Sequence, residues 1–86
     1  MNIADRNHLL MRRVERRCAT IGGLRRAQEA RLVSANAAAS REEAEEHLRN
    51  WARLQEQVCD LRSQNTRDCA VVDPDGPDAR AVRLSL

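Results

Sequence analysis

The residues able to carry chemistry are few and scattered. His8, Cys18, His47, Cys59 and Cys69 supply the softer metal ligands, yet no Cys-x-x-Cys or His-x-x-x-His spacing brings two of them together. Cys59 and Cys69 stand ten apart, as in twin Cys-x9-Cys helical hairpins, but the second pair that such a fold needs is missing. Three cysteines at uneven spacing do not make a secreted disulfide framework, so three free thiols in a reducing compartment are expected. Nucleophilic catalysis needs an activated Ser or Cys beside a positioned base. Cys59, between Val58 and Asp60, has no such base and reads as a small buried or half-buried residue. Gly22-Gly23 lacks the spacing and the Lys of a phosphate loop. The carboxylates Glu42, Glu43, Glu45 and Glu46 lie where a helix start favours acids, and need no acid–base role. No enzyme, cofactor or metal is expected.

The charged residues carry more information. All fifteen basic residues are Arg, which favours planar, bidentate contacts over point charges. Residues 1–31 hold eight Arg against three acids, net +5, whereas residues 32–65 are net −2. Arg12, Arg13, Arg16, Arg17, Arg25 and Arg26 recur on successive turns, so a nucleic-acid-binding or regulatory helical protein of phage or plasmid type is the alternative function. The Asn-x-x-Ala-Ala-x-x-Ser/Cys-Arg arrangement of basic-zipper DNA readers is absent. The preferred reading of Arg12, Arg13, Arg16, Arg25 and Arg26 is an electrostatic face that meets acids of the second helix or an acidic partner.

These side chains must be positioned by helices. Alternating steps of three and four give one seam through Asn7, Leu10, Val14, Arg17, Ile21, Leu24, Gln28, Arg31, Ala35 and Ala38. Cys18 and Leu32 lie one residue further on and widen it. A second seam runs through Ala44, His47, Trp51, Leu54, Val58, Leu61 and Asn65. Leu10, Val14, Ile21, Leu24, Trp51, Leu54, Val58 and Leu61 are the expected packing and partner-binding residues. Trp51 is read as core before it is read as a hot spot. His47 is read as an edge residue, with a pH-sensitive seam position as the alternative.

Ser40 with Glu43 forms a capping box, and the two seams do not share a frame. That mismatch predicts a reversal near 36–40. The expected fold is all-α, an antiparallel helical hairpin or coiled coil with helices about 3–35 and 41–65. One long helix with a stutter is the alternative. Gly22-Gly23 softens the first helix and is expected to leave it continuous, because Ile21 and Leu24 keep the register of Leu10 and Val14. Domain 1–66 is then the hairpin. Residues 67–86, with Asp73-Pro74-Asp75-Gly76-Pro77-Asp78, form a flexible C-terminal tail or a short β-ribbon. Apolar residues are 42%, but there is no Phe or Tyr and one Trp. So thin a seam, interrupted by Arg17, Gln28 and Arg31, predicts self-association or a protein partner. No apolar stretch is long enough to span a membrane, and the early Asp5, Asn7 and His8 do not suit a signal peptide, so a cytoplasmic location is expected.

The run Leu9-Leu10-Met11-Arg12-Arg13-Val14-Glu15-Arg16-Arg17, then Gly23-Leu24-Arg25-Arg26-Ala27-Gln28-Glu29-Ala30-Arg31-Leu32, resembles the YscO/FliJ family. The later Ala-rich passage and Glu46-His47-Leu48-Arg49-Asn50-Trp51 share the likeness, which covers roughly residues 9–62. These are Arg- and Ala-rich coiled-coil stalk proteins of type III secretion and flagellar export. The resemblance implies a cytosolic antiparallel hairpin that works with an export ATPase ring and export chaperones. The chain is little more than half the family's usual length and carries Gly22-Gly23 where the family keeps an unbroken helix. A smaller accessory coiled coil fits those departures better than a ring-penetrating stalk.

Overall fold

In a computed structural model, residues 2–72 are described and form an antiparallel hairpin of two α-helices. The first, α1, spans Ile3–Asn36, and the second, α2, spans Arg41–Val71. Asn2 caps α1: its Oδ1 accepts from the Asp5 backbone N–H at 2.8 Å, satisfying one of the free donors of the first turn. Asp5 itself sits in that turn, against the positive end of the helix dipole. The helix runs through Gly22-Gly23 without a break, and no glycine of the described residues takes a positive φ. The reversal falls at residues 37–40. Ala37 N–H donates to Val33 O at 3.1 Å and Ala38 N–H to Ala35 O at 3.3 Å, closing the end of α1. Ser40 Oγ then accepts from Glu43 N–H at 3.2 Å, and the Glu43 carboxylate reaches back to Ala39 N–H at 3.2 Å. The capping box thus starts α2 where the sequence placed it.

Two compact units are distinguished. One is Ile21–Asp60, which contains the reversal. Within it Val58 is fully buried and Gln28 is 3% exposed, with Ile21, Leu24, Trp51 and Leu54 half-buried around them. The other unit joins Met1–Thr20 to Leu61–Leu86. Among its described residues Val14, Asn65, Cys69 and Val72 are buried, and Met11 and Cys18 pack against the Val14–Cys69 cluster.

The expected end of α2 at residue 65 requires correction. The change of character after Asn65, towards the turn residues Asp73–Asp78, suggests a helix end, but α2 continues to Val71, so residues 67–71 belong to the helix and not to a tail. The reason is packing. The seam of α2 takes a further step to Asp68, with Cys69 beside it; Asp68 pairs with Arg17 and Cys69 packs with Val14 of α1, and Val72, just past the helix end, is buried. The flexible tail or β-ribbon expected for residues 73–86 lies outside the described residues.

Candidate functional site

The heptad spacing places the seam correctly. Every seam position from Asn7 to Ala38 and from Ala44 to Asn65 is buried or half-buried. Of the eight apolar residues expected to pack, Val14 and Val58 are fully enclosed. Leu10, Ile21, Leu24, Trp51, Leu54 and Leu61 are half-buried, as the geometry of two helices with open flanks requires. Leu32 departs from expectation: it is exposed, so the widening of the stripe reaches Cys18 but not Leu32.

Three polar interruptions of the first seam, Arg17, Gln28 and Arg31, meet polar residues of the second, whereas Asn7 Oδ1 is buried without a hydrogen-bond partner among the described residues. Arg17 ion-pairs with Asp68 and donates a longer hydrogen bond, 3.4 Å, to Asn65 Oδ1. Asn65, with no exposed surface, also offers its Nδ2 to Cys18 Sγ at 3.6 Å. In the other unit Gln28 Nε2 donates to Gln55 Oε1 at 2.8 Å and weakly to the Trp51 carbonyl at 3.5 Å, while Arg25 donates to Gln28 Oε1 at 3.4 Å. Arg31 lies against His47, 3.2 Å from Nδ1. A guanidinium only donates, so Nδ1 is the acceptor. The opposite ring nitrogen of His47 is 3.9 Å from Glu43. His47 is therefore a seam member that faces across to α1, rather than an edge residue.

This alters the meaning of the spoiled positions. Arg17, Gln28 and Arg31 were expected to weaken the seam and so to require an outside partner. Each instead finds its hydrogen-bonding group within the chain. A buried polar group costs about 1–3 kcal/mol when left unpaired, so sliding one helix against the other by a turn is penalised at each such layer. The polar layers set register. They do not advertise a vacancy.

Cys18 and Cys59 are free thiols, the first half-buried and the second exposed, and Cys69 is buried. Exposure of Cys59 corrects the buried or half-buried expectation; its position falls just outside the stripe that contains Val58, and its Sγ accepts from Gln55 Nε2 at 3.6 Å. Among the described residues no three His, Cys, Asp or Glu side chains converge to hold a metal ion. An open depression of about 550 Å³ at the start of α2 is lined by Ser40, Glu42, Glu43, Glu45, Glu46 and Arg49. Its carboxylates are ordered by capping and by the Arg41–Glu45 pair at 3.0 Å, with no nucleophile set beside a base.

Arg12, Arg13, Arg16, Arg25 and Arg26 are all exposed. The expectation for them is contact with acids of the second helix or with an acidic partner. Among the described residues the ion pairs are Arg17–Asp68 and Arg41–Glu45, with Glu43 3.9 Å from the His47 ring, and none of the five takes part. The cross-helix attraction is carried by Arg17, which lies in the seam itself.

No known protein family, curated protein or solved structure matches the chain. Its outward faces must therefore be read from their own chemistry. Beside the Arg side chains they carry Leu9, Leu32, Val33 and Leu48, each exposed by two-fifths or more. No helix of the described residues is long and apolar enough to cross a membrane.

Proposed function

We propose that the chain is a non-enzymatic, protein-binding helical hairpin, in which the seam holds the two helices in register and the outward faces take a partner. The observation that carries this reading is the pairing of Arg17, Gln28 and Arg31 inside the chain. It leaves the exposed leucines and Val33 uncovered, and Arg12, Arg13, Arg16 and Arg26 without an ion pair among the described residues. Exposed apolar side chains next to Arg outside any ion pair are the composition of an interaction surface. The partner is a second copy or another helical protein. A cytoplasmic location and an export-apparatus partner belong to this proposal, and rest on the resemblance of residues 9–62 to coiled-coil export proteins.

The test is retention of partners by the tagged full chain, expressed in its native cells, against a Leu32→Glu/Val33→Glu variant of unchanged helicity. A protein, or untagged copies of the chain, held by the native chain and released by the variant supports the proposal. Equal retention by both, or none by either, contradicts it.

A second reading is favoured by one observation, the exposure of Arg12, Arg13 and Arg16 without an internal ion pair among the described residues. It makes the protein a nucleic-acid binder. Duplex DNA or RNA affinity that falls steeply with salt supports it, and the lack of binding at low salt refutes it.

A further inference from the structure

We infer that the partner of the Arg face is a second copy of this chain, whose Glu face at the start of α2 receives it. This deepens the interaction-module reading and rests on it. Leu9, Arg12, Arg13 and Arg16 fall at i, i+3, i+4 and i+7 of α1, which puts them on one exposed face. Glu42, Glu45, Glu46 and Arg49 repeat the same spacing on α2, and Leu48 lies one step beyond Glu45. Each charged stripe thus has an apolar neighbour, Leu9 or Leu48, 43% and 47% exposed. Residues 9–16 carry three Arg and Glu15, net +2; residues 41–49 carry four Glu with Arg41 and Arg49, net −2.

The two stripes are complementary in sign, size and spacing, and the chain does not satisfy either. Arg12 and Arg16 are like charges at i,i+4, and so are Glu42 and Glu46, an arrangement that destabilises a helix unless opposite charge is brought to it. Helix-start electrostatics favour Glu42 and Glu43, capping engages Glu43 further, and Arg41 pairs with Glu45. Glu42 and Glu46 make no ion pair among the described residues, as is also true of the three Arg. A second copy supplies both missing halves. The Arg stripe of each copy meets the Glu stripe of the other, the reciprocal pattern of a two-fold dimer, with Leu9 against Leu48 inside a charged rim. A nucleic acid would engage the Arg stripe alone and leave Glu42 and Glu46 unanswered.

Sedimentation equilibrium of the full chain, at low and high salt, reads this directly. The native chain self-associates, and raising the salt weakens the association. Arg12→Glu/Arg13→Glu/Arg16→Glu and Glu42→Arg/Glu46→Arg each weaken it by about tenfold or more while far-ultraviolet circular dichroism stays helical. Mixed in equal amounts, the two variants restore it, because each altered stripe meets its altered counterpart. A native chain that stays monomeric, reversal variants that associate as the native chain does, or a helical mixture that stays dissociated each overturns the inference. Should a reversal variant fail to fold, Arg12→Gln/Arg16→Gln and the salt series on the native chain decide between the same two outcomes. A monomeric native chain that nevertheless holds another protein through Leu32 and Val33 overturns this inference and leaves the wider proposal standing.

Discussion

Arg17 is where the pairing of the two seams can be weighed most directly. Its side chain and that of Asp68 are each 21% exposed, while Asn65 has no exposed surface. Substituting Arg17→Ala removes the Asp68 ion pair and the donor facing Asn65 Oδ1. The partly exposed ion pair is screened by solvent, so its loss costs about 1 kcal/mol or less. Asn65 cannot recover its lost partner from water, and an unsatisfied buried acceptor costs about 1–3 kcal/mol. Together they predict a destabilisation of about 1–4 kcal/mol, of which the larger share comes from Asn65 and not from the charge pair. Urea unfolding followed at 222 nm gives the value, with Arg6→Ala as the exposed control that leaves the midpoint in place. Replacing the whole group, Arg17→Leu/Asn65→Leu/Asp68→Leu, leaves no orphaned polar atom and is expected to recover the native stability or exceed it. An Arg17→Ala midpoint equal to that of Arg6→Ala would refute the claim that Arg17 completes the seam, and failure of the triple variant to recover would refute the assignment of the cost to Asn65.

Three further outcomes follow from the same packing. Gly22→Ala/Gly23→Ala raises stability by about 1.5–2 kcal/mol, since α1 is continuous there and an added Cβ meets only the Arg26 side chain at 3.8 and 3.9 Å. A fall in the thermal midpoint would show that the glycines relieve a strain not visible in the helix. Ser40→Ala costs about 1 kcal/mol through the lost bond to Glu43 N–H, read as a lower urea midpoint with unchanged slope; an unmoved midpoint would show that the cap contributes nothing. Val58→Asp places a carboxylate at a site with no exposed surface and abolishes the cooperative helical transition, whereas an unchanged helical signal would remove Val58 from the seam.

The hairpin was legible in the sequence because heptad spacing reports which face of a helix is covered, and because the frames of the two seams disagree. The capping box at Ser40 and Glu43 located the start of α2 for the same local reason. What faces what was not legible. A period assigns Arg17, Gln28 and Arg31 to the buried face of α1, but their partners Asp68, Gln55 and His47 are set by the register of a helix up to 51 residues away. Asp68 was beyond the expected end of α2, so the ion pair that completes Arg17 had no visible counterpart. The Asn2 cap was hidden because the apolar spacing begins only at Ile3 and carries no signal for the residue before it. Leu32 and Cys59 were misjudged alike: each adjoins a seam residue, and a stripe one residue wider or narrower at that turn is decided by contacts across the helices. The interaction faces were half legible. Arg12, Arg13 and Arg16 stand out as a charged face, and the heptad spacing already separates them from Arg17, but only the structure shows that Asp68 is what Arg17 meets.

Cross-linking tests the central claim, that polar residues of the two seams close one chain upon itself in a fixed register. With Cys18, Cys59 and Cys69 replaced by Ser or Ala, cysteines introduced as Gln28→Cys and Gln55→Cys replace the pair that meets at 2.8 Å. A short bis-maleimide is predicted to join them within a single chain, at a yield independent of protein concentration. The shifted pair Gln28→Cys/Arg62→Cys is predicted to stay unlinked. A product that joins two chains and grows with concentration, or equal linking of the shifted pair, would contradict the account.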